Sequence, residues 1–211
     1  EKDPRLDAIG ATVLAPVFEE GFKAIGVALI ALMSLLGLKR LDGPLAGAIY
    51  GGVVGLGFTL TEDILYVGRQ FATEGLGGFV VLLFLRTVLL GLSHCTFTAC
   101  TGLGFGVAAE SKKLWVKVCG PVLGFVAAMG MHAVHNGLPT FLGEGGVLVM
   151  LIVSWLIDIA FFGLLWVLVT RDRRIVIREL LGEVGDLLQP TELRLVSSYA
   201  TLGWRNTVVL F

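Results

Sequence analysis

The sequence predicts an all-α fold, a polytopic transmembrane bundle of about five spans closed by a short polar C-terminal tail. Three observations predict it. Only 16% of the 211 residues are charged and the mean hydropathy is +0.86, too little charge to solvate a soluble domain of this size. The apolar runs exceed the ~18 residues that mark a candidate membrane crossing. Charged clusters, the Gly43-Pro44 break and Pro139 separate those runs.

The first span covers residues 9–36 and ends before Lys39, Arg40 and Asp42, with Gly43-Pro44 as the break. The second covers 45–67. A polar, glycine-rich loop with Arg69, Glu74, Gly75, Gly77 and Gly78 is expected next. The apolar stretch 79–109 is long for one crossing and is interrupted by Arg86 and the segment 91–93, so it reads as an interfacial lead-in followed by a third span from Thr87. Glu110, Lys112 and Lys113 close it. The fourth span, 114–138, is stopped by Pro139, and the fifth covers 146–169. The expected division is a transmembrane peptidase-like domain over 1–170 and a cytosolic tail over 171–211, with a small helical element near Pro190.

Positive charge orients such a bundle. Lys39, Arg40, Lys112, Lys113 and the group Arg171, Arg173, Arg174 and Arg178 follow spans one, three and five, whereas the other side holds only Lys2, Arg5 and Arg69. The first set, and with it the C-terminus, is expected in the cytoplasm. A chain that starts outside at Glu1 with no signal peptide implies further spans upstream. A net charge of −1 gives no basic footprint for nucleic acid. Cys95, Cys100 and Cys119 have no zinc-ribbon spacing and suggest no disulfide framework. Glycines four apart, at Gly47, Gly51 and Gly55, at Gly102 and Gly106, and at Gly120 and Gly124, read as close helix packing.

The informative residues are the polar ones inside the spans, each of which is costly in lipid. Span one holds Glu19, Glu20 and Lys23, and span two holds Glu62 and Asp63. Arg86 and His94 fall in span three, His132, His135 and Asn136 in span four, and Asp158 in span five. At ~1.5 Å per residue, Glu19 and Glu20 lie about ten residues from the outer end of their helix, Glu62 about five, His94 about seven and His132 about six. Helices of alternating direction therefore place these groups in the same outer half of the bilayer, which implies one water-accessible cluster. Helical spacing pairs Lys23 with Glu19 or Glu20, Glu62 with Tyr66, His94 with Thr98, and His132 with Asn136. Asp63 is expected off the polar face, His135 without a partner, and Asp158 held by a structural partner or protonated.

Carboxylates and imidazoles in a shielded, wet site suit hydrolysis, with a glutamate as general base or histidines and a carboxylate on zinc. The H-E-x-x-H and G-x-S-x-G signatures are absent, and Asp63 and Asp158 lack the surroundings of an aspartyl intramembrane protease. The same cluster also suits a non-catalytic membrane scaffold or a proton-coupled transporter.

Four motifs add a family resemblance. Residues 15–23, APVFEEGFK, carry E-E-x-x-K. Residues 57–67, GFTLTEDILYV, place a tyrosine four after a glutamate. Residues 86–106 run from an arginine to a histidine, then threonine and glycine, and 131–137, MHAVHNG, contain H-x-x-x-N. In this order they resemble the PrsW family of membrane-embedded peptidases, which is related to the type II CAAX prenyl endopeptidases and, more distantly, to the APH-1 subunit of γ-secretase. The resemblance implies hydrolysis of a peptide bond in a membrane-protein substrate, in the manner of site-1 cleavage of an anti-sigma factor, within a bacterial or archaeal plasma membrane. It implies catalytic positions at Glu19, Glu20, Lys23, Glu62, His94, His132 and Asn136. Of these, Glu19 is the expected base, Glu20 is neutralised by Lys23, and His132 with Asn136 steadies the oxyanion. Glu62, His94 and His132 are the expected ligands should the site hold zinc. His135 falls on a variable position of the last motif.

Overall fold

The computed structural model describes residues 3–38, 41–185 and 189–197. Lys2, Lys39 and Arg40, on which part of the expected orientation rests, lie outside the described residues. The described chain is helical almost throughout and contains no strand. It divides into two compact units, Glu1–Gly163 and Leu164–Phe211.

In the first unit, helix α1 (Pro4–Ile9) is capped by the Asp3 carboxylate, which accepts from the Arg5 backbone N–H at 2.9 Å. A π-helical turn, Gly10–Leu14, leads into α2 (Ala15–Leu35). Helix α3 (Pro44–Leu83) starts where the sequence breaks, with Pro44 in the first turn, where its missing N–H costs nothing. A second π-helical turn (Phe84–Leu89) and a break over 90–92 precede α4 (Ser93–Glu110). Helix α5 runs Leu114–Leu181. The second unit holds the end of α5 and a short helix, α6 (Pro190–Ser197), in the polar tail.

Three expectations about boundaries are corrected. No extended loop follows the second span, because α3 continues through 69–74 and departs from helical geometry at the single residue Gly75. At φ 67° that position suits glycine, which has no Cβ to clash. Pro139 does not stop the fourth span. It is accommodated inside α5, and the break falls four residues later at Gly143, φ 60°. The helix carrying His94 starts at Ser93 rather than near Thr87, so His94 occupies its first turn.

Each break folds the chain back on itself. Asp63 pairs with Arg86, Gly55 abuts the His94 backbone, Gly51 abuts Thr98 and Ala99, and Gly47 abuts Gly102. One number falls as the other rises, so the returning chain runs antiparallel to the first arm of α3. After Gly143, His135 meets Ser154 in the same sense. A methyl group on Gly47, Gly51 or Gly55 would strike backbone atoms of α4, and one on Gly104 or Gly124 would strike the α4–α5 contact. These glycines let helix backbones approach closely, as small residues do in membranes. Two helical stretches, Pro44–Glu110 and Leu114–Leu181, each interrupted by these breaks, are long and apolar enough to cross a membrane. Helix α2 differs because Glu19, Glu20 and Lys23 fall within its 21 residues.

Candidate active site

Five helical segments converge on one buried polar cluster. Helix α2 contributes Glu19, Glu20 and Lys23 from adjacent turns. The first arm of α3 contributes Glu62 and Asp63, the segment after Gly75 contributes Arg86, α4 contributes His94 and Thr98, and α5 contributes His132.

Glu20 is fully buried and fully engaged. Its Oε1 accepts from Lys23 Nζ at 2.7 Å and lies 3.0 Å from His132 Nδ1, and its Oε2 accepts from the Thr98 hydroxyl at 3.1 Å. A carboxylate only accepts, so His132 carries its proton on Nδ1, and the neutral ring's Nε2 lone pair is left available. That nitrogen lies 3.7 Å from Glu19 Oε2. Glu19 is the opposite of its neighbour. Its side chain keeps 24% exposure, yet Oε2 is buried with no hydrogen-bond partner, 3.8 Å from Lys23 Nζ.

Lys23 joins the two halves of the cluster. Its ammonium lies 2.9 Å from His94 Nδ1 and 3.9 Å from the centre of the Phe58 ring, a cation–π contact. An ammonium only donates, so His94 Nδ1 accepts and its N–H is Nε2. That nitrogen meets Glu62 Oε2 at 2.9 Å. The same oxygen lies 2.8 Å from Arg86 Nη2, while Arg86 Nε pairs with Asp63 Oδ1 at 2.5 Å. The guanidinium stacks on Tyr66, 4.4 Å from the ring centre. Phe97 packs flat against His132 and edge-on to His94.

The structure thus brings Glu19, Glu20, Lys23, Glu62, His94 and His132 together, and several expectations change. Asp63 is not off the polar face; it is buried and anchors Arg86. Tyr66 supports Arg86 by stacking, where a direct bond to Glu62 was expected. His135 has a partner after all, since its Nδ1 lies 3.0 Å from the Ser154 hydroxyl. Asp158 does have a structural partner, accepting from the Thr96 hydroxyl at 2.6 Å. Asn136 donates its side-chain amide to the Ala11 carbonyl at 2.9 Å, so it fastens the Gly10–Leu14 turn to α5 and does not point a donor into the cluster. Phe58 and Ser154 were not anticipated as partners of these residues, and Thr98, expected beside His94, donates to Glu20. Only Thr98, four residues after His94 on the same face, left a trace in the spacing.

Glu19, His94 and His132 each offer a ligand atom, and these atoms lie within 4.8 Å of one another. They fit a zinc ion on the observations above. Glu19 Oε2 is an orphaned buried oxygen, His132 Nε2 is free, and Glu20 fixes the His132 tautomer as an outer-sphere carboxylate does at metal sites. His94 would have to exchange one of its present contacts. Glu62, expected among the ligands, lies within ion-pair distance of Arg86 and His94.

The fold and site define a class, a helical protein with apolar segments of membrane-crossing length around a buried carboxylate–imidazole cluster. The profile of the PrsW family intramembrane metalloproteases matches residues 1–165. The chain belongs to that family, and so to the membrane-embedded proteases. No curated protein and no solved structure matches it.

Proposed function

We propose that this chain is an intramembrane protease that hydrolyses a peptide bond in a membrane-protein substrate, with Glu19 as the residue that handles water. The observation that carries this reading is the contrast between two adjacent carboxylates. Glu20 has three partners spread over both oxygens, whereas Glu19 keeps a buried oxygen without a hydrogen bond and retains access from outside the cluster. Glu19 takes a proton from water as oxygen adds to the scissile carbonyl carbon. That proton passes to the departing amine as the C–N bond breaks. Glu20 and Lys23 hold His132 and His94 in fixed tautomers, and Arg86 holds Glu62 against His94. Were zinc held by Glu19, His94 and His132, it would supply Lewis acidity to the carbonyl and to water, and Glu19 would then serve as its ligand rather than as the base.

In this reading five segments cross the membrane. They are α2, the two antiparallel arms of Pro44–Glu110 and the two arms of α5. The cluster lies in the outer half of the bilayer, the C-terminal tail of 171–211 lies in the cytoplasm, and the membrane is bacterial or archaeal. The substrate is a single-span protein cut near its outer end, of which an anti-sigma factor is one instance.

The test is co-expression with end-tagged single-span proteins, comparing wild type with Glu19→Gln at equal accumulation. Cleavage by wild type and a loss of 100-fold or more in Glu19→Gln is the expected result, with zinc in the purified protein reduced by His132→Ala. No cleavage by wild type across the panel would transfer the cluster to the scaffold reading, which the fully paired Glu20–Lys23–His132 network also suits.

A further inference from the structure

The first arm of α3 and the chain that returns after Gly75 do not close on each other. Between them lies a groove of about 640 Å³, lined by Leu60, Ile64, Val67, Phe79 and Leu83, with Thr59, Asp63, Thr87 and Gly91 as well. Thr59 and Asp63 also line a second, much smaller chamber of about 20 Å³, with Arg86, Ser93, His94 and His135. Thr59 and Asp63 therefore stand between the groove and the chamber beside the histidine that holds Glu62.

We propose that this groove binds the membrane-spanning segment of the protein substrate in unwound form and delivers its backbone to His94. The inference rests on the protease reading above. Two features select a peptide over a lipid chain. First, the groove abuts, at Thr59 and Asp63, the chamber lined by His94, a polar end for which a lipid tail has no use. Second, its apolar length finishes in hydrogen-bonding side chains. A helical substrate has its N–H and C=O groups bonded internally, and a peptide bond must leave the helix before water can add to it. Unwinding frees backbone donors that cannot remain unpaired in an apolar medium. The Asp63 carboxylate and the Thr59 oxygen offer acceptors at the neck, and the hydroxyl of Thr59 is itself spent on the Gly55 carbonyl. The Ser93 hydroxyl, buried and without a partner, adds a polar group on the chamber wall. A hydrocarbon tail would satisfy none of these. The walls give side chains of the substrate an apolar surface equivalent to the lipid they leave, so entry along the bilayer plane is nearly neutral for the side chains. Selectivity then lies in how readily a segment unwinds.

The experiment uses the full chain in membranes and a substrate shown to be cleaved by wild type. Photo-reactive benzoylphenylalanine is placed at Leu60 or Leu83 in the groove, or at Ile25 on the exposed face of α2, in the Glu19→Gln background. Substrate adducts from the two groove positions and none from Ile25 are expected. In parallel, Leu60→Trp and Leu83→Trp, which fill the groove from exposed or half-exposed positions, should raise KM at least tenfold, leaving thermal stability and zinc content at wild-type values. A helix-weakening Gly or Pro in the substrate segment should speed cleavage. Lipid adducts alone from Leu60 and Leu83, with KM unchanged by both tryptophans, would overturn the groove and leave the protease standing. A wild type that cuts nothing would remove the protease reading and the groove's occupant with it.

Discussion

Helix α3 meets the chain on its two sides in opposite ways. Toward α4, Gly47, Gly51 and Gly55 bring backbones into direct contact. Toward the returning chain after Gly75, bulky side chains stand apart around a groove, and among the described residues the charged crossing is Arg86 reaching Glu62 and Asp63. The difference separates two tasks. The close contact fixes His94, whose own backbone is what Gly55 touches. The open contact leaves room for a guest, with one cation holding both its own clasp and the orientation of Glu62.

The comparison breaks first on the close side. Gly55→Leu drives a side chain into the His94 carbonyl where neither backbone can yield. A loss of about 3 kcal/mol or more is expected from such overpacking, and it would show as poor accumulation and a lowered melting temperature in detergent. Next comes the clasp. Arg86→Ala leaves Glu62 and Asp63 as two buried carboxylates without their cation, and a cost of about 3 kcal/mol is expected from breaking a buried pair. Adding Asp63→Asn should recover part of that stability, because one uncompensated charge is then gone. A double-mutant cycle in thermal unfolding checks this, and strict additivity would mean that Asp63 and Arg86 do not act together. The smallest effect is expected at the groove wall. Leu60 is 66% exposed, so Leu60→Ala should change stability by no more than about 0.5 kcal/mol. A larger loss would show that the groove is a packed interface.

The same two sides explain what could be read from the sequence. The glycine spacing was legible because close packing requires a small residue every four positions on one face. The pairing of Lys23 with Glu20 was legible for the same reason, since helical geometry converts spacing into neighbourhood, and so was the meeting of Glu19, Glu62, His94 and His132 in one cluster. Asp63 was not, because its partner Arg86 lies 23 residues away across a reversal. The sequence placed that reversal in a polar loop with several glycines, without singling out Gly75. Asn136 was misjudged because its spacing from His132 is real but its amide turns outward, to a carbonyl 125 residues earlier in the chain. Pattern along a helix predicts which residues share a face. It does not say which neighbouring segment that face will find.

Lys23 closes with a practical consequence. Its ammonium is 2% exposed and wrapped by a carboxylate, an imidazole and the face of a phenyl ring. In the assembled protein an acylating reagent has no line of approach to it, whereas Lys112, Lys113 and Lys117 stand at the surface. The chain therefore carries its own integrity gauge. Modification confined to the surface lysines marks an intact centre, and the appearance of label on Lys23 marks the moment α2 separates from its neighbours.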